Sequence, residues 1–495
     1  MAGRHRQHAG RVRSPEPEAR AMNKLSILQI AEFAGAKLEQ GDGKVSIERI
    51  STDSRTIKKG ELFVALRGEN FDGHNFVEDV AKAGAAGAIV DLEWWNAFSE
   101  RVDRLPRSRS TFALIRAEDT LLAYQDLAAN YRKSLPIKVL AITGSNGKTS
   151  TKDFAASVLG RKFRVTKTQG NFNNHVGLPR TVLEANAEHE VGVWEVGMNH
   201  PGEIAPLAKI AAPDAAIITN IGVAHIEFMG TREAIAKEKG ALAEAVDLNG
   251  TVILNADDPF GKGIAERTPA HIIFAGTKDG TIRAIDIQQS ADGSDFTIIE
   301  GAHRCRAQLP VPGIHMVQNA LLAVAAGRAF GLSLEEAAGG LASAPLTKAR
   351  LQIKEINGVQ FLDDSYNANP DSMKAALQTL VELDTDGKKI AVLGEMRELG
   401  KETQSGHEEV GEAAASLGID HLIGIGEMGA VIARAAKKAG LEKSDTAGST
   451  SEAAERLIDI AELGDLVLIK GSRLARTEEV IEQFGSRHMS HVTRH

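Results

Sequence analysis

The sequence predicts an α/β protein of three domains. A small α/β domain spans 22–135, a central P-loop-type parallel sheet spans 136–345, and a Rossmann-like domain spans 346–495, behind an extension over 1–21. Three observations predict this. Short apolar runs alternate with helix-compatible stretches along most of the chain, the pattern of strands joined by crossover helices. A glycine-rich turn carrying a lysine and a threonine, at residues 144–149, sits at one strand–helix junction. And 495 residues are too many for a single core, so the alternation divides among about three domains.

The elements follow in order. Residues 1–21 are rich in Arg and His, contain Pro15 and Pro17, and lack the apolar stretch of a secretory signal; they read as a disordered extension before a second start at Met22. In 22–135, the runs 62–66 and 88–90 predict buried strands with a helix over 75–83 between them. Ser51-Thr52-Asp53-Ser54-Arg55 is a polar segment just before a strand, which the residues alone read as a turn with an Asx-type cap. In the central part, strands are expected over 138–143, 191–196, 215–219, 251–254 and 272–275. The runs 282–287 and 296–300, separated by Ser290-Ala291-Asp292-Gly293, predict an antiparallel ribbon, and 315–330 a helix. The C-terminal part repeats the alternation, with strands over 360–364, 389–393, 421–425 and 465–469 and helices over 370–383 and 404–417. Ligands of such sheets sit at the carboxyl ends of strands. Asp363-Asp364-Ser365, Gly394-Glu395-Met396-Arg397 and Lys470-Gly471-Ser472-Arg473 all fall there.

Composition narrows the function. Hydrophobic content of 43% and charged content of 25% are those of a globular protein. A net charge of −8 argues against a nucleic-acid-binding surface, so positive charge for any phosphate must be local. The single Cys305 excludes an intrachain disulfide and fits a reducing compartment. No apolar stretch approaches the length of a spanning helix, so membrane insertion is not expected and a cytoplasmic enzyme is.

The turn Thr143-Gly144-Ser145-Asn146-Gly147-Lys148-Thr149 has the chemistry of a phosphate cradle. Two glycines let backbone N–H groups approach an anion, the helix opening near Ser150 adds its N-terminal partial charge, Lys148 reaches terminal phosphates and Thr149 can ligate Mg²⁺. Ile142 stands where the longer Walker pattern has glycine, so the match is to the shorter Gly-x-x-Gly-Lys-Thr variant. Glu195 ends the strand 191–196, and His225 follows the next strand; both open on the edge that carries the cradle. A carboxylate and an imidazole there suit Mg²⁺; each alone could be a paired or capping residue, but beside the cradle the metal reading gains. Lys237 and Lys239 lie on a helix starting near Thr231, where lysine usually faces solvent. Asn171, Asn173 and Asn174 form a donor-rich loop, either turn chemistry or a ligand contact. Asn319 opens a helix, where it could meet a base or ribose or serve the helix end.

Taken together, these motifs resemble the Mur ligases, ATP-dependent amide-bond-forming enzymes of peptidoglycan synthesis. The resemblance covers 22 to about 485. It rests on 143–149, 170–174, 195–199, His225, Lys239-Gly240, 315–319, Asp363-Asp364-Ser365-Tyr366-Asn367-Ala368-Asn369-Pro370, Leu393-Gly394-Glu395-Met396-Arg397-Glu398-Leu399-Gly400 and 470–473. The last two long runs match the member that adds D-alanyl-D-alanine to UDP-N-acetylmuramoyl-tripeptide rather than those adding earlier stem residues. The resemblance implies that Gly144, Ser145, Asn146, Gly147, Lys148, Thr149 and Ser150 hold ATP, joined by Asn319, Arg350 near the phosphates and Asp364 on the ribose. It implies two Mg²⁺ held by Thr149, Glu195, His225 and a carbamylated Lys239; Lys237 is rejected because the Lys-Gly pair and the spacing from His225 favour Lys239. Lys148, Glu195, His225 and Lys239 are then the catalytic set. Ser54 and Arg55 would hold the UDP part, and Asn171, Asn173, Asn174, Asn367 and Asn369 the remaining substrate groups. The expected partners are the UDP-tripeptide and the dipeptide, with no nucleic acid and a monomeric state.

Overall fold

The computed structural model describes residues 21–98, 112–345 and 347–492, with side chains to 486. The expected extension over 1–21 lies outside the described residues save for Ala21. The chain divides into two compact units, the first running to Ala123 and taking in Leu183–Asn186, the second comprising Tyr124–Val182 and Ala187 onward.

In the first unit a five-stranded sheet runs in the order Lys37–Gln40, Ala113–Ala117, Gly87–Asp91, Leu62–Val64, Ile50–Ser51. The predicted strands are there, and the helix between them is a 3₁₀ turn, Gly73–Phe76, leading into Val77–Lys82. Lys37–Gln40 pairs antiparallel with Ala113–Ala117. The sequence concealed it because it is a half-exposed edge strand with no continuous apolar run.

The second unit holds two sheets. The larger has nine strands in the order Val165–Lys167, Val191–Glu195, Lys138–Thr143, Ala215–Ile218, Thr251–Asn255, His271–Gly276, Ile282–Ser290, Gly293–Glu300, His303–Leu309. Neighbours are parallel as far as Ile282–Ser290 and antiparallel beyond it. The predicted ribbon therefore exists, with a third strand added. Two registers position the chemistry. Ile142 lies beside Glu195, and Thr143 beside Ile218, so the loops leaving all three strands open on one edge. The helices Lys148–Leu159 and Ile314–Ala329 contribute Phe154, Val158, Val317, Leu321 and Val324 to the core that backs this sheet. Burying those groups removes roughly 1.5–3 kcal/mol of water contact per large side chain, which holds both helix N-termini in place.

The smaller sheet runs Gln352–Ile356, Val359–Asp363, Leu466–Lys470, Lys389–Leu393, His421–Ile425, Ser444–Ala447. Here Asp363 lies beside Ile469 and Leu393 beside Lys470, so the loops following Asp363, Leu393 and Lys470 cluster at one edge. The two outer strands escaped the sequence reading for the same reason as Lys37–Gln40: their residues are partly exposed and polar.

Candidate active site

The phosphate turn is built from backbone geometry. Gly144 has φ +150° and Gly147 φ +79°. Gly147 is the N-cap of Lys148–Leu159, and a Cβ there would collide with Asn319. A Cβ on Gly144 would collide with Thr219 Oγ1, the hydroxyl that donates to Asn146 O at 2.5 Å. Gly144→Ala should therefore displace the turn and weaken nucleotide binding at least tenfold, about 1.4 kcal/mol. Calorimetric titration with ADP checks it, and unchanged affinity would mean the turn is not the phosphate cradle.

The turn opens into a cleft of about 1340 Å³ lined by residues of the second unit only. Of the predicted residues, Ser145, Asn146, Gly147, Lys148, Thr149, Ser150, Asn171, Asn173, Asn174, Glu195, His225, Asn319, Arg350, Asp364, Asn367 and Asn369 all line it. Gly144 stands just behind, its carbonyl accepting from Lys148 Nζ at 2.8 Å. Ser54 and Arg55 belong to the first unit, where Arg55 Nε donates to Asp53 Oδ1 at 2.8 Å.

Glu195 is 2% exposed and ends its strand inside the cleft. Its Oε1 accepts from Asn173 Nδ2 at 2.7 Å and its Oε2 from Thr149 Oγ1 at 3.1 Å. Arg350 in turn donates to Thr149 Oγ1 at 3.1 Å and stacks 4.2 Å over Tyr366. Thr149 and Glu195 thus present hard oxygen donors together, the class that Mg²⁺ prefers.

Lys239 is fully buried in the helix Arg232–Glu244, and its Nζ has no hydrogen-bond partner. Burial, followed by repulsion from Lys148, holds its pKa well below the usual lysine value. Lys237, two residues away, is exposed. An unpaired amine in a core costs free energy unless something completes it. Burial also lowers the Lys148 pKa, with Glu195 opposing and Arg350 adding to the effect. Lys148 and Arg350 beside the single carboxylate Glu195 make the floor of the cleft rich in cationic groups, while Lys239 lies buried behind the residues that line it. The floor is chemically suited to phosphates.

Several of the predicted residues also have partners within the fold. Asn369 caps the helix Pro370–Glu382, its Oδ1 accepting from Ser372 N at 2.9 Å while Nδ2 donates to Asn146 Oδ1 at 2.7 Å. Asn174 Oδ1 accepts from Gly177 N at 2.8 Å at the start of another helix. Asp364 is ion-paired with Lys470, whose Nζ also donates to Asn367 O at 3.0 Å. His315, beside this pair, is held neutral, its pKa pushed down to about 4 chiefly by burial. Sequence reasoning missed Asp258, Asp371 and Glu398. Asp258 and Asp371 accept from Ile221 N at 2.6 Å and Val223 N at 3.0 Å, and Glu398 Oε2 lies 2.5 Å from His225 Nδ1. Glu398 stood in a quoted run, but no spacing rule links it to a histidine more than 170 positions earlier.

Comparison with known proteins decides the family. Models described as Mur ligase family, catalytic domain, Mur ligase middle domain, and Mur ligase, glutamate ligase domain match residues 46–132, 142–327 and 349–473. The chain belongs to the Mur ligase family. A Bacillus subtilis UDP-N-acetylmuramoyl-tripeptide–D-alanyl-D-alanine ligase is 38% identical to this Mur ligase over 93% of the chain and 98% of the relative. The crystal structure of MurF from Acinetobacter baumannii superposes with a TM-score of 0.84 at 33% identity, covering 94% of this chain and 99% of that one. MurF ligase from Thermotoga maritima in complex with ADP gives 0.77 at 28% identity, over 88% and 97%. No helix among the described residues is long and apolar enough to cross a membrane. Among the described residues there is also no group of three or more His, Cys, Asp and Glu side chains that would hold a metal unaided.

Proposed function

We propose that this Mur ligase joins D-alanyl-D-alanine to UDP-N-acetylmuramoyl-tripeptide at the expense of ATP, in the cytoplasm and as a monomer. The observation that carries the reading is near-complete mutual coverage with a ligase of that name. The three-part division 22–135, 136–345 and 346–495 goes with it, each part bringing one substrate.

The tripeptide carboxylate attacks the γ-phosphate of ATP, and ADP leaves an acyl phosphate. The dipeptide amine then adds to the acyl carbon, and phosphate departs from the tetrahedral intermediate, leaving an amide. The protein's part is positioning and charge neutralisation. Residues 144–150 cradle the phosphates, Lys148 and Arg350 offset the repulsion between carboxylate and phosphate, and Asn319 and Asp364 meet the nucleoside. Asp364 can accept from the ribose without leaving Lys470, because the ion pair engages only its Oδ2. Asn367, exposed at the rim, serves the dipeptide, with Asn171, Asn173 and Asn174 on the peptide side. The cap and the bond to Asn146 suit Asn369 to holding the C-terminal loop on the phosphate turn.

Thr149, Glu195 and His225 would hold Mg²⁺, which when bound supplies charge neutralisation at the phosphates. These donors are few, and the orphaned Lys239 amine supports a completing group: a carbamate formed there from CO₂, with loss of a proton, would offer two further oxygen donors. Phosphate release that requires both the UDP-tripeptide and the dipeptide tests the function. Nucleotide turnover without them would overturn it. In the first unit, Arg55→Ala should raise KM for the UDP substrate about tenfold, an ion pair's worth of about 1.4 kcal/mol, and leave that for the dipeptide unchanged. A shift in the dipeptide KM instead would move the nucleotide sugar away from Ser54 and Arg55.

A further inference from the structure

The loop that carries His225 is shared between two parts of the second unit. Its first half is held by the nine-stranded sheet's own loops: Ser145 Oγ accepts from Gly222 N at 2.9 Å, Asp258 Oδ2 accepts from Ile221 N at 2.6 Å, and Ile221 O accepts from Arg232. From Val223 onward the partners change. Val223 N–H donates to Asp371 Oδ2 at 3.0 Å, Glu227 N–H donates to Glu398 O at 3.3 Å, and His225 Nδ1 lies 2.5 Å from Glu398 Oε2. Both partner residues belong to the six-stranded sheet's part of the chain, Asp371 in the first turn of the helix Pro370–Glu382 and Glu398 in the loop after the strand Lys389–Leu393.

Backbone strain marks the same spot. His225 has φ +62° and Glu398 φ +60°, both in the left-handed region that a side chain with a Cβ disfavours. Such residues persist only where their surroundings over-determine them. The approach is close enough to need glycine on both sides. A Cβ on Gly222 would collide with Asp371 Oδ2, and one on Gly400 would press on Glu227 at 3.1 Å. His225 makes no side-chain capping bond to the helix Ile226–Met229, so helix capping does not account for its conformation.

We infer that Glu398 is a positioning residue: it fixes the imidazole of His225 from the C-terminal part of the chain, so that His225 is aimed into the cleft only while that part is docked. A carboxylate on one ring nitrogen sets the tautomer and orientation and frees the other nitrogen for a ligand. The site's histidine is thereby made conditional on docking, and Asp371 holds the loop in the same state. This rests on the reading of His225 as a cation ligand.

The test is Mn²⁺ binding to the full chain in the presence of ADP, followed by electron paramagnetic resonance. Glu398→Ala should weaken Mn²⁺ binding about 10–100-fold, the usual cost of losing a ligand's orienting partner. Glu398→Gln, which keeps a side-chain oxygen at the same reach from Nδ1, should stay close to wild type, and the KM for the UDP substrate should not move in either. If Glu398→Ala does not fold, Glu398→Asp, one methylene too short, should show the same loss. Wild-type Mn²⁺ affinity in the folded alanine or aspartate variant overturns the role of Glu398. Affinity lost equally in the glutamine variant does so too, because an oxygen held at that reach from Nδ1 is then not what matters. His225→Ala separates the two ideas: if that variant binds Mn²⁺ normally, the cation assignment of His225 fails first.

Discussion

Lys239→Ala should be almost inactive, and bicarbonate-free buffer should reduce the wild type in the same direction. A fully buried amine with no partner, its pKa held down by burial and by Lys148, is shifted toward the neutral form that adds CO₂. Carbamylation would replace a depressed cation by an anion beside Lys148, removing a repulsion and supplying oxygens where the described side chains offer few. Acetate or another short carboxylic acid should partly restore Lys239→Ala, because it can place a carboxylate in the space the side chain leaves. Small amines should not. Rescue by amines alone would show that the cation is what the site needs, and the carbamate would be abandoned. The substitution also removes a large side chain from a packed helix face, so thermal unfolding must be followed alongside. Truncation of that size costs about 2–5 kcal/mol in a core, and the lost activity has to exceed what unfolding explains.

Lys148→Ala should lose about 10²–10³-fold in turnover, the typical consequence of removing one charge contact made in the transition state. Its stability should scarcely change. The ammonium is already disfavoured by burial and by Arg350, with only Glu195 in its favour, and its visible hydrogen bonds are to the carbonyls of Gly144 and Ser145. The measurement is turnover at saturating ATP together with a melting curve. A folded variant with near-normal turnover would take the triphosphate away from residues 144–150.

The sequence by itself determined the local chemistry. Gly144, Gly147 and Lys148 announce a phosphate turn because positive φ and close backbone approach are properties of single residues and their immediate neighbours. The parallel sheet and its crossover helices were likewise legible, since apolar runs such as 138–143 and 389–393 are buried on both faces. Edge strands such as Gln352–Ile356 were not, because half-exposed residues carry no such run.

What only the tertiary structure decided is pairing across distance. Strand register put Glu195 beside Ile142 and thus within reach of Thr149. Helix packing, not residue type, separated buried Lys239 from exposed Lys237. The meeting of Glu398 with His225, and of Asn369 with Asn146, depends on how the two sheets' loops dock. A carboxylate or an amide has the same identity in the sequence whether it caps its own helix, binds a substrate or orients a distant imidazole. Its role is fixed by the partner within about 3 Å, and the fold alone chooses that partner.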